Sequence, residues 1–128
     1  MQNIDRLFVL TAILFILTGM MIGLYMGGSQ DHRFIPVHAH LNLLGFTLMM
    51  LFGICYRVWP KMQEGRLALI HYFLHTVGVI VSMTAVYMIQ LDAVANGPIY
   101  GPVADGASAL TVAGVLLFTF LFFAKAKS

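Results

Sequence analysis

Apolar residues run through this chain in four blocks separated by short polar stretches. The blocks are Leu7–Met26, Pro36–Val58, Leu67–Ile89 and Gly106–Ala124. Each holds about 20 residues, the length that carries a helix across the hydrocarbon core of a bilayer. None alternates apolar and polar residues as a barrel strand does. In lipid only helices and closed barrels satisfy the backbone, so the blocks predict helices. The expected fold is therefore all-α, with four transmembrane helices in a single domain over residues 1–128. The first block is longer than the apolar stretch of about 7–15 residues in a signal peptide, and no A-x-A site follows it. It is read as a retained span.

The polar stretches carry turn chemistry. Gly27–Ile35 contains Gly27, Gly28 and Ser29, and Trp59–Arg66 contains Pro60 and Gly65. Gln90–Asp105, with Asn96-Gly97-Pro98 and Gly101-Pro102, is expected to be a long loop. Pro36 suits the first turn of the second helix, where its missing N–H costs nothing.

Composition agrees with the blocks. Hydrophobic residues make up 60% of the 128 and charged residues 9%, against about a quarter charged in soluble domains. A net charge of +2 is too small to argue for nucleic acid, and the lone cysteine, Cys55, excludes an intramolecular disulfide. The basic residues are unevenly shared. With four spans, Arg6, Arg57, Lys61, Arg66, Lys125 and Lys127 fall on one side of the membrane. Arg33 falls on the other, beside Asp31, Asp92 and Asp105. The positive-inside rule then predicts cytoplasmic termini in a multi-pass protein of a bacterial inner membrane, with Trp59 at the inner interface.

Histidines are the candidate chemistry. Ionisable residues within membrane spans are rare and commonly functional, although histidine also serves as an interhelical hydrogen-bonding group. His38 and His40 open the second helix. Two residues along a helix is a rotation of about 200°, so these imidazoles leave in nearly opposite directions at nearly one depth. They cannot grip one ion together, but each can supply an axial ligand to a heme iron. The other ring nitrogen then needs a partner, such as a carbonyl or Thr18. Asn42 and Gly45 share the face of His38, and Gly45 would admit a porphyrin close to the backbone. Leu44 and Thr47 share the face of His40. His71 and His75, four apart, form a possible second metal site for copper or zinc, with a hydrogen-bonding role as the simpler reading. At a depth of about 17 Å, against about 6 Å for His40, His75 is a poor axial partner for it. Met20, Met21 and Met26 invite a Cu(I) reading, although methionine is also a routine apolar filler. The chain has no P-loop, dinucleotide fingerprint or nucleophile–base pair.

The stretch Phe34–Pro60, FIPVHAHLNLLGFTLMMLFGICYRVWP, resembles helices of the catalytic subunit of the heme–copper oxidase superfamily, nitric oxide reductases included. His38 and His40 match the family's His-x-His, with one histidine on each of two hemes. His40, Asn42, Leu43 and Leu44, then Tyr56 and Pro60, match the helix that carries a low-spin heme ligand. The resemblance covers about 27 residues and finds no counterpart of the adjacent copper-binding histidines or the cross-linking tyrosine. It implies heme b held by His38 and His40, with Arg33 pairing to the propionates. It also implies that this chain is one four-helix arc, three of which would form a homotrimer of twelve helices. The functional expectation is a bis-histidine heme protein for electron transfer or redox sensing, with a redox partner or quinol as electron source. The alternatives are a copper-handling membrane protein, an assembly subunit of a respiratory oxidase, and, by analogy alone, an oxidoreductase.

Overall fold

In a computed structural model, residues 3–127 are described. They fold as four long helices, α1 (Ile4–Ser29), α2 (Ile35–Val58), α3 (Leu67–Leu91) and α4 (Ala93–Lys125), each long and apolar enough to cross a membrane. Among the described residues there is no strand. A short 3₁₀ turn, Pro60–Gln63, links α2 to α3.

The helices outrun their apolar blocks, α4 by far the most. The stretch expected as a loop, Gln90–Asp105, is almost wholly helical, and α4 begins at Ala93. Only Asp92, with an extended backbone, separates α3 from α4. Its carboxylate accepts the Ala95 N–H at 3.1 Å, the bond that satisfies a donor orphaned at a helix start. Asn96 Nδ2 donates to Met88 O at 2.6 Å and ties the new helix to the old one. Pro98 and Pro102 lie inside α4. A proline crowds the Cβ of the residue before it when that residue is helical. Here those residues are Gly97 and Gly101, which have none. With 33 residues, α4 is about 50 Å long and overruns a hydrocarbon core of about 30 Å.

Small residues let the helices close on one another, as is usual in membrane bundles. Helix α1 packs along α2, and α3 along α4. The pairs meet in an aromatic core of Phe8, Phe52, Tyr56 and Phe118, into which His71 is set. At the end that holds the termini, Gln63 Oε1 accepts the N–H groups of Ile4 and Asp5 and so caps α1. Gln63 Nε2 donates to Tyr56 O. Lys125 Nζ reaches Glu64 O at 2.6 Å, so one short connection latches α1, α2 and α4 together.

Helix α2 is not regular. From Leu41 to Thr47 its hydrogen bonds take the wide π pattern. The Leu48 N–H reaches back to Leu43 O, five residues earlier. A π turn carries one more residue than an α turn and tends to occur at functional sites. This one starts directly after His40.

Candidate functional site

His38 and His40 leave α2 on different sides. His38 turns toward α1, where its Nδ1–H donates to Gly19 O at 2.7 Å. Gly23 makes room for the ring, since a Cβ there would fall 2.7 Å from His38 Cε1. Thr18 is not the partner; its hydroxyl donates to Leu14 O within α1. His38 Nε2 faces the Asn42 amide, whose Nδ2 lies 3.4 Å away, at the long limit for a hydrogen bond. Asn42 Oδ1 is buried without a partner, against Gly19.

His40 turns the other way. Its Nδ1–H donates to Pro36 O at 2.6 Å. A carbonyl can only accept, so both imidazoles carry the proton on Nδ1 and keep the lone pair on Nε2. His40 is exposed and borders a cleft of about 500 Å³ between α2, α3 and α4. Leu44, Met83, Val86, Val112 and Leu116 make the cleft largely apolar, and Ser82, Ser108 and Thr111 add hydroxyls.

The remaining expected residues are distributed as follows. Gly45 is buried against Phe15 of α1, and a Cβ on it would lie 2.7 Å from Phe15 Cβ. Its lack of a side chain serves helix packing here. Arg33 pairs with Asp31, Nε to Oδ2 at 2.9 Å. The Arg33 backbone N–H and then its guanidinium hold the Asp31 carboxyl below its ordinary value. His71 and His75 are both fully buried, at 0% exposure. His71 Nδ1 shares a hydrogen bond with the Tyr56 hydroxyl at 2.8 Å. His75 Nε2–H donates to Leu44 O at 2.9 Å. Their ring centroids are 6.3 Å apart. Each bond crosses from α3 to α2, and His71 Nε2 and His75 Nδ1 are left without a partner. Among the described residues, no three His, Cys, Asp or Glu side chains gather as metal ligands. Met20 and Met21 are exposed on α1 while Met26 is buried.

Three features escaped the sequence reading: the wide turn of α2, the Leu44 carbonyl as a hydrogen-bond acceptor for His75, and the Tyr56–His71 pair. Tyr56 and His71 had a signal, two polar residues in apolar blocks, but nothing in their spacing joins them. No family model matches the chain, and neither a curated protein nor a solved structure does.

Proposed function

We propose that this protein is a b-type heme protein of the bacterial inner membrane, used for electron transfer or redox sensing, with His38 and His40 as axial ligands. One observation carries the reading: both imidazoles give their Nδ1–H to a backbone carbonyl, Gly19 O and Pro36 O. That bond orients the ring, fixes the tautomer and raises the basicity of Nε2, which is what an iron-ligating histidine requires. The fit is good at His40, whose Nε2 carries no hydrogen bond to another residue and stands beside an apolar cleft of about 500 Å³. At His38 the Asn42 amide must give way first. Arg33 is the cation available for propionates, in exchange for or beside Asp31. The bound group would supply a one-electron couple, and the residues of the chain hold it and exclude water. Gly45 has no part in this reading, because Phe15 fills its space.

The opposite directions of His38 and His40 bear on assembly. A single chain then supplies one ligand to each of two sites. In a closed ring, His38 of one chain meets His40 of the next at matching depth, and every ligand is used. Three chains give twelve helices. The termini are cytoplasmic, because the surplus of basic residues lies at their end.

The test is a visible spectrum of the purified protein before and after dithionite, with and without carbon monoxide. A Soret band with sharp reduced bands that ignore the gas is expected, because imidazoles fill both axial positions. A colourless protein refutes the heme. A rapid, large Soret shift with the gas refutes the second imidazole.

A further inference from the structure

We propose that His75 is a positioning residue: it holds open the wide turn of α2 and thereby sets how His38 and His40 are presented. The part that concerns iron rests on the reading of those two histidines as axial ligands. In a regular helix Leu44 O would accept the N–H four residues later, that of Leu48. Here the Leu48 N–H goes to Leu43 O, and Leu44 O receives the Nε2–H of His75 at 2.9 Å. Thr47 Oγ1 fills a similar role within the helix, donating to Asn42 O at 3.1 Å. A side chain inserted into the helical ladder is a recognised cause of a local bend or widening. The extra residue turns the upper part of α2, which carries His38 and His40, relative to the lower part, which carries Phe52 and Tyr56. One residue of α-helix is a rotation of about 100°.

The clamp is costly, which argues that it is held for a purpose. To donate through Nε2, His75 must keep its Nδ1 bare, and that atom is buried without a partner. Helix α4 packs closely on this stretch of α3, with Gly114 so near that a Cβ there would lie 3.3 Å from the His75 backbone N. The acceptor it secures lies one turn from His40, and the Leu44 side chain lines the same cleft as His40. Fixing the Leu44 carbonyl therefore fixes the cleft wall and the angle of the His40 ring together. On the other face of the same stretch, the Asn42 amide lies against His38.

The test uses the full chain in detergent, as wild type, His75→Leu and His75→Gln. Leucine fills the space without donating; glutamine can place an amide N–H near the Nε2 position. The first readout needs no heme: histidine ring nitrogen resonances, with the stretch of a ¹³C-labelled Leu44 carbonyl. The expected result is a released Leu44 carbonyl and displaced His38 and His40 resonances in His75→Leu, both restored in His75→Gln. The second readout is the low-spin electron paramagnetic signal and midpoint potential of heme-loaded protein, which should shift in His75→Leu and return in His75→Gln. A Leu44 band that His75→Leu leaves unmoved overturns the clamp. A released carbonyl with unmoved His38 and His40 resonances overturns the positioning role. Should wild type take no heme, the heme reading falls by itself, and the ring resonances still decide whether His75 positions the pair.

Discussion

An imidazole is available to a metal only where one nitrogen keeps an uncommitted lone pair and the other is held. All four span histidines have one nitrogen held: Nδ1 of His38 and His40 on the carbonyls of Gly19 and Pro36, Nε2 of His75 on Leu44 O and Nδ1 of His71 on the Tyr56 hydroxyl. Access divides them, because His71 and His75 are fully buried in the core, whereas His40 is exposed beside its cleft and His38 is half-buried. His38→Ala and His40→Ala are therefore expected to lose most bound heme, while His71→Ala and His75→Ala keep most of it, read as the Soret absorbance per protein. Stripping of heme by His75→Ala alone, with retention in His40→Ala, would reverse the assignment. Arg33 is governed by its pair with Asp31. The folded-state value of that carboxyl is lowered, so the pair is present above the ordinary value of 3.8 and is lost as pH falls through the lower, folded value. A carbon-detected titration of Asp31 should be flat from about pH 8 to pH 5 and move only in acid.

At the scale of the element, small residues and caps decide where helices run and how closely they meet. Gly45 lies against Phe15, so Gly45→Leu must push α1 from α2. A loss of about 1–3 kcal/mol is expected for such overpacking, measured as a lower unfolding midpoint in detergent. The start of α4 depends on the Asp92 carboxylate. Asp92→Ala should cost about 1 kcal/mol and raise amide exchange over the first turns of α4, with the span beyond Ala107 unaffected. Much of the element structure was legible: four helices, the positions of the first two connections, and Pro36 in a first turn. The region around Pro98 and Pro102 was not. Its Gly-Pro steps carry the composition of a turn, yet glycine before proline also removes the clash that keeps such steps out of helices. Composition weighs these two roles equally, and only the capped, tethered backbone separates them.

For the whole molecule, the four apolar helices make a multi-pass membrane protein, and the arrangement of charge predicts its orientation. Reporter fusions at Ser128 should be active in the cytoplasm, and a signal confined to the periplasm would invert the topology. Native mass spectrometry of heme-loaded protein should give three chains with up to three hemes. A heme-loaded monomer with both axial ligands from one chain would rule out shared sites. The opposite bearings of His38 and His40 are the ground for proposing sites shared between chains, and the cleft beside His40 lies open on the single chain.

What the sequence by itself determined follows from local rules. Hydrophobic length gives the helices, because a backbone in lipid must bond to itself. Helical rotation gives the divergence of His38 and His40, because two residues make nearly half a turn. What only the tertiary structure decided is which polar atoms meet. Gly19 is 19 residues from His38 in the chain, and Leu44 is 31 from His75. Each acceptor is a backbone carbonyl, and every residue has one, so no residue type marks it in advance. The wide turn of α2 belongs to the same class. Nothing in LNLLGFT calls for it, and it stands where a carbonyl from one helix meets a donor from another.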